Sequence, residues 1–275
     1  MKLKLLVTDL DGTLLNSKSQ VSAKNIKSLE HAGKNGIIRV LATGRSFYSL
    51  QKSSLHLLPF DYFVFSCGAG IWSLHQKQLI YKCNLSVIES QKAFYALENL
   101  NVDFSVQFAV PDNHFYYFVK KSSDNPDFDR RNIIYKNYCH EIKSTNFKKS
   151  VFCQMIAVVP SIVGVSVYNQ VKKELKELNV VRSTSPLDHQ SVWVEVFNKN
   201  ASKLNGIKQI AKKYHISRND IMCCGNDFND EEMLDWCKYS FVVDNAPEEL
   251  KARFKTVASN NKNGFSEAYE LWLKC

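Results

Sequence analysis

Apolar residues along this chain follow two rhythms. Short, nearly continuous apolar runs stand at 2–8 (KLKLLVT), 37–43 (IIRVLAT) and 62–66 (YFVFS), and runs of that kind predict buried strands. Between the first two, Ser22 is placed to cap a helix reaching about Lys34. Ile26, Leu29 and Gly33 would lie on its inner face, with Gly36 as its stop. Strand, helix, strand and strand in this style predict a parallel sheet covered on both faces. The same rhythm returns late, with a helix over 202–215 that turns Leu204, Ile207, Ile210 and Ala211 to one side. A strand at 221–224, a helix at about 230–237, a strand at 240–243 and helical stretches at 246–254 and 264–274 follow.

Between the two halves the rhythm changes. Residues 102–109 and 114–119 alternate and are aromatic, with Pro111, Asp112 and Asn113 between them, which predicts an antiparallel hairpin. Runs at 151–159, 180–182 and 191–197 extend this mixed sheet, and helices at 86–100 and 161–178 would cover one face. The expected fold class is α/β, a Rossmann-like parallel-sheet core with an inserted α+β domain. The core is assigned to 1–84 and 191–275 and the insertion to 85–190.

Composition narrows this little: 45% hydrophobic and 23% charged residues describe an ordinary globular chain and exclude disorder, collagen and coiled coil. No apolar stretch is long enough to span a bilayer, and no export signal precedes Asp9, so a cytoplasmic protein is expected. The eight cysteines show no C-x-x-C and no zinc spacing, and free thiols are the expectation, with Cys223 and Cys224 as small core residues. A net charge of +9 invites a nucleic-acid reading, but its distribution argues against one. The excess lies in residues 1–84, with 11 Lys/Arg against 4 Asp/Glu, and it is scattered rather than gathered. Pairs such as Arg130-Arg131 read as solvated surface. A basic field suits steering of an anionic small molecule, with neither nucleic acid nor membrane as partner. Nothing in the sequence sets an oligomeric state.

Four patches carry candidate chemistry, each at the end of a predicted parallel strand or in the helix after it, where open α/β sheets bind ligands. Asp9-Leu10-Asp11-Gly12-Thr13 places two carboxylates where one can attack and the other can manage a proton. Thr43-Gly44-Arg45 offers a hydroxyl, an amide and a guanidinium to phosphate oxygens. Lys203 stands in the first turn of a helix, an odd place for a cation unless an anion is near. Gly225-Asn226-Asp227-Phe228-Asn229-Asp230 is a loop rich in oxygen ligands for a hard cation such as Mg²⁺, and equally a capped helix start.

In order, these patches resemble the haloacid dehalogenase superfamily of phosphatases, and most closely its Cof-like branch with a large inserted cap. Cys67-Gly68-Ala69, where that family usually has Asn-Gly-Ala, and Asp244-Asn245-Ala246-Pro247 belong to the same resemblance. The resemblance implies that Asp9 is a nucleophile forming an aspartyl-phosphate and that Asp11 is the acid and base. Leu10, Thr43, Gly44, Lys203 and Asn229 would hold the phosphoryl group, and Asp9, Asp11, Asn226 and Asp230 would hold Mg²⁺. The family pattern has Asp where Asn226 stands, and a neutral amide contributes no charge, so metal binding should be weaker unless Asp227 or Asp230 compensates. The implied activity is hydrolysis of a small soluble phosphate ester, a sugar phosphate by default. A phosphomutase of the same fold and a non-catalytic phosphate sensor remain as alternatives.

Overall fold

A computed structural model describes residues 3–143, 147 and 149–275; Lys2 of the predicted first strand lies outside them. The chain divides into two units, 1–81 with 203–275, and 82–202. The first unit opens with β1 (Leu5–Thr8), α1 (Ala23–Lys34), β2 (Ile38–Ala42), α2 (Phe47–Lys52), β3 (Tyr62–Phe65), β4 (Gly70–Ser73) and β5 (Gln78–Lys82). The second contains α3 (Val87–Asn99), β6 (Phe104–Phe108), β7 (Tyr116–Val119), α4 (Pro126–Ile134), β8 (Cys139–Glu141), β9 (Phe152–Val159), α5 (Ser161–Glu174), β10 (Asn179–Thr184) and β11 (Val192–Phe197). The chain then returns to the first unit as α6 (Lys203–Lys213), β12 (Ile221–Gly225), α7 (Glu231–Trp236), β13 (Tyr239–Val243), α8 (Glu248–Lys251), β14 (Lys255–Val257) and α9 (Gly264–Trp272).

In the first unit the strands form one sheet in the order β14-β13-β12-β1-β2-β3-β4-β5. From β14 to β3 every pairing is parallel, and β4 turns back antiparallel on β3. The strand order reverses at β1: β2 and β3 lie on one side, and β12 to β14 lie on the other. Leu5, Val7, Val40, Val64, Ile221 and Cys223 pack one face against Ile207, Ile210 and Ala211 of α6, all fully or nearly fully buried. Burying runs of branched side chains on both faces is what makes a parallel arrangement stable here.

The second unit holds a six-stranded sheet, β10-β11-β9-β6-β7-β8, antiparallel except between β7 and β8. Alternation sends Phe104, Val106, Met155, Ala157, Val194 and Val196 into one apolar core with Phe94 and Leu97 of α3 and Val171 of α5. Because β11 pairs with both β9 and β10, the second crossing between units lies at 202/203, not at the predicted 190/191. A strand that completes a sheet belongs to that sheet's unit, whatever the sequence distance to its neighbours.

Four expectations need correction. Cys223 and Cys237 form a disulfide joining β12 to the end of α7, so Cys223 is not the free core thiol expected. The buried face of α1 is Asn25, Ser28, Leu29 and Ala32, one residue round from the predicted face. Polar residues can sit there because Asn25 Nδ2 donates to Leu14 O at 3.3 Å and Ser28 Oγ donates to Ser266 Oγ at 3.0 Å. Arg131 is buried rather than solvated, its guanidinium 4.2 Å from the Tyr116 ring centroid and donating to Ser105 Oγ at 3.1 Å. The stretch read as helix at 246–254 gives only α8, and the chain then extends into β14.

One buried carboxylate organises the turn after β7. Asp103 accepts from the amides of Lys121 and Ser122 at 2.6 and 2.9 Å, from Asn125 Nδ2 at 2.8 Å, and from the Ser122 hydroxyl. Burial opposes its charge, but these donors outweigh burial and hold its pKa below the ordinary aspartate value. A depressed pKa contributes stability above the unfolded aspartate range, and that contribution is lost as pH falls through the folded pKa. Asp103→Asn is expected to cost about 1.5–3 kcal/mol at pH 7 and clearly less near pH 3, by urea denaturation at both values.

Candidate active site

The site gathers where the order of the first sheet reverses. Three neighbouring strands, β12, β1 and β2, end together, and each hands the chain to a polar loop. Asp9 follows β1 and stays in register with β12, its amide donating to Cys224 O at 2.9 Å. The chain then makes a wide turn over Leu10–Leu14. Gly12 takes φ +77° in that turn, and a Cβ there would meet Asn226 Nδ2 at 2.6 Å. Glycine is therefore needed twice over, for the backbone and for the approach of the β12 loop.

Lys203 is the centre of the arrangement. Its Nζ donates to Asp9 Oδ1 at 2.8 Å, Asn229 Oδ1 at 3.0 Å and Asp230 Oδ1 at 2.6 Å. Lys203 and Asp9 are 2% and 5% exposed, and Asp230 is wholly buried. Lys203 is therefore not a solvated surface lysine. Burial alone would pull the ammonium down, but the carboxylates of Asp230 and Asp9 outweigh it and hold the pKa above the usual lysine value. Burial pushes the Asp9 carboxyl up to about 7, against the pull of Lys203 and with added repulsion from Asp230 and Asp11. Two carboxylates share one ammonium.

Asp230 braces Lys203 through its first oxygen. Its second oxygen accepts from the amides of Asn226 and Asp227 at 2.9 and 3.2 Å. Gly225 makes this possible, since a Cβ there would lie 2.7 Å from the Asp230 carboxylate. Asn226 is oriented from the β1 loop, where Thr13 Oγ donates to its Oδ1 at 2.8 Å. Asn245, from the Asp-Asn-Ala-Pro stretch, donates to Gly12 O at 2.8 Å and fixes the far side of the turn.

After β2, Thr43 is buried and its Oγ accepts from the Arg45 amide at 3.1 Å, which directs the hydroxyl proton elsewhere. Gly44 lies between the Cys67 thiol and the Asn229 amide, 3.5 and 4.0 Å from where its Cβ would be. Leu10 buries its side chain completely and uses its carbonyl to close the turn on Leu15, so only its main chain faces a ligand site. Asp11 stands apart from the lysine cluster in a bidentate pair with Arg45, Nε to Oδ2 at 2.8 Å and Nη2 to Oδ1 at 2.6 Å. The sequence marks Arg45 only as part of a phosphate-holding patch, and its partnership with Asp11 lies 34 residues away along the chain. Thr13 was likewise visible only as the last letter of a motif. All the predicted residues nonetheless fall on these three loops or the first turn of α6.

The sequence matches the family model of haloacid dehalogenase-like hydrolases over residues 6–268. It is 26% identical over 282 residues to the putative phosphatase YxeH of Bacillus subtilis, covering 98% of each chain. It is 24% identical over 285 residues to the 5-amino-6-(5-phospho-D-ribitylamino)uracil phosphatase YwtE of the same organism, covering 95% of each. A solved sugar phosphatase of haloacid dehalogenase subclass IIB superposes with a TM-score of 0.78 at 20% identity, over 99% of this chain and 100% of that one. Among the described residues no helix is long and apolar enough to cross a membrane.

Proposed function

This chain belongs to the haloacid dehalogenase-like hydrolase family, and from that premise we propose that it is an Mg²⁺-dependent phosphomonoesterase working through an aspartyl-phosphate on a small phosphate ester. The observation that carries the reading is the buried contact of Lys203 with Asp9, a cation held against a carboxylate at the reversal point of the sheet. Such a cation keeps an anionic nucleophile and an anionic phosphoryl group compatible in one place.

The donor set suits magnesium, since the Asp9 carboxylate, the Asn226 amide oxygen and the Asp11 carbonyl are hard oxygen ligands. When bound, the ion supplies neutralisation of charge on the phosphoryl oxygens. Asp9 attacks phosphorus as the bond to the leaving oxygen breaks, and Asp11 gives that oxygen its proton. Asp11 then takes a proton from water, the water oxygen bonds to phosphorus, and the Asp9–phosphorus bond breaks to release phosphate. Because Arg45 grips the Asp11 carboxylate on both oxygens, each proton step requires that pair to open. Thr43, the main-chain amides of Leu10 and Gly44, Asn229 and Lys203 position the phosphoryl group.

A sugar phosphate is the favoured substrate class, supported by the likeness to the subclass IIB sugar phosphatase and to a relative named for a phosphoribityl compound. Residues 82–202 would serve as the cap that chooses the leaving group, and the reaction would run in the cytoplasm. The test is phosphate release from sugar, nucleotide and cofactor phosphates, with Mg²⁺ and with EDTA. Release in Mg²⁺ that EDTA abolishes, strongest on sugar phosphates, is expected. Release unaffected by EDTA would remove the metal from the mechanism, and transfer only to a second sugar phosphate would make the protein a mutase.

A further inference from the structure

We propose that a cleft at the amino ends of β2 and β3 binds a small organic oxyanion, a carboxylate or a phosphate, through Lys213 and Tyr214. The inference does not rest on the phosphatase reading. The cleft has a volume of about 360 Å³, within the range of pockets that hold small molecules. It is lined by the start of β2 and β3, the turn between β4 and β5, and the ends of α1 and α6. The candidate active site lies at the other end of the same strands. Helix α6 spans the distance, with Lys203 in its first turn and Lys213 as its last residue.

The class of ligand follows from which groups of the cleft are already engaged. Asp61, the carboxylate of the lining, is gripped by Arg39, whose Nε and Nη2 donate to it at 2.9 and 2.8 Å and whose amide donates at 2.8 Å. A cation therefore finds that carboxylate already paired. Carbonyls at the helix ends are also engaged within the chain, Ala32 O by the Ile37 amide and Ile210 O by the Tyr214 amide. Donors are what remain. Lys213 makes no ion pair among the described residues, and its Nζ donates to Tyr62 Oη at 3.3 Å. The hydroxyls of Tyr62 and Tyr214 share one hydrogen bond, so two phenol protons serve a single bond between them. One proton is left for an acceptor from outside. Tyr62 is 4% exposed and Tyr214 half-buried, so an acceptor in the cleft meets Tyr214 and sets the direction Lys213 to Tyr62 to Tyr214 to ligand. Burial, and next the bond to Tyr62, push the Tyr214 hydroxyl up to about 12, so it keeps its proton at neutral pH. An ammonium and a phenol proton side by side suit a group that is anionic and only accepts, as carboxylates and phosphates are. Ile37 and Ile38 in the lining offer apolar surface to the rest of such a ligand.

The test follows backbone amide chemical shifts of the full-length ¹⁵N-labelled protein as inorganic phosphate or benzoate is added in EDTA at constant ionic strength. The amides of Gln76, Lys213 and Tyr214 are expected to move along one saturating curve. Those of Gly44 and Asn226 report separately on the active site, so an anion bound there is not mistaken for one in the cleft. Lys213→Ala and Tyr214→Phe should each weaken binding at the cleft by about tenfold. Lys212→Ala removes an exposed lysine outside the lining and should change it by less than about twofold. Saturation by benzoate alone assigns a carboxylate head to the ligand, and saturation by phosphate alone assigns a phosphate. Shifts at the cleft that are absent, or that rise without saturating for both anions, overturn the proposal. So does a Lys212→Ala variant weakened as much as Lys213→Ala, because diffuse surface charge would then account for the attraction.

Discussion

Replacing Asp9 by Asn is expected to lower Mg²⁺-dependent phosphate release by about 10⁴-fold or more while the protein stays folded. The amide keeps the shape of the carboxylate but cannot form the bond to phosphorus. The same variant carries a second signature that does not depend on turnover. In the folded protein the Asp9 carboxyl is pushed up to about 7, chiefly by burial. A carboxylate raised above its unfolded value favours the folded state at low pH, and that advantage disappears as pH rises through the folded pKa. Asn does not titrate. In EDTA, Asp9→Asn should therefore melt no lower than wild type at pH 8, and the comparison should move in favour of wild type towards pH 4. Residual activity within about tenfold of wild type would remove Asp9 from the nucleophile's role. A marked loss of thermal stability at pH 8 would mean that its contact with Lys203 outweighs its burial.

Lys203→Ala should be the most damaging single change in the first unit. The side chain is 1% exposed and contacts carboxylates that are 7% and 0% exposed, so its removal strands two buried negative charges. Breaking a buried pair from one side costs about 3–5 kcal/mol. Loss of the cation that faces the phosphoryl group should add a fall of about 10²–10³-fold in turnover for whatever fraction remains folded. The two effects are separable. Asp230→Asn in the Lys203→Ala background removes one stranded charge and should recover part of the stability in urea, without recovering phosphate release. Stability unchanged in Lys203→Ala would mean that the carboxylates take up protons or solvent at little cost, and the cluster would not be the brace described above.

The parallel strands were legible because their apolar runs end abruptly in polar motifs, as at Val7-Thr8-Asp9 and Cys224-Gly225-Asn226. Local order decided those elements, and local order is what sequence periodicity reports. The misread face of α1 has a different origin. Asn25 and Ser28 are buried because partners distant in sequence, Leu14 and Ser266, satisfy them, and no window along the helix contains those partners. The boundary at 202/203 was hidden for the same reason, since β11 declares its allegiance only through pairing with β9 and β10. In the site itself, the strand-end positions of Asp9, Thr43 and the loop after β12 followed from the sequence. The pairing of Arg45 with Asp11 and the commitment of Asp230 to Lys203 did not, because charge pairing is settled by three-dimensional neighbours rather than by motif spacing.

The pairing of β1 with both β2 and β12 has a consequence for how the chain is made. Leu5 lies opposite Ile38 on one side and Ile221 on the other, so one edge of the first strand waits for a partner encoded more than two hundred residues downstream. All strands of the inserted sheet lie within 82–202 and are synthesised before that partner. On a ribosome the insertion can close while β1 still shows an open edge, the feature that invites strand addition from other chains. The nascent protein thus passes through an interval in which its second unit can be finished while its first is a template awaiting β12, and that interval is where a neighbouring nascent chain would compete for the open edge.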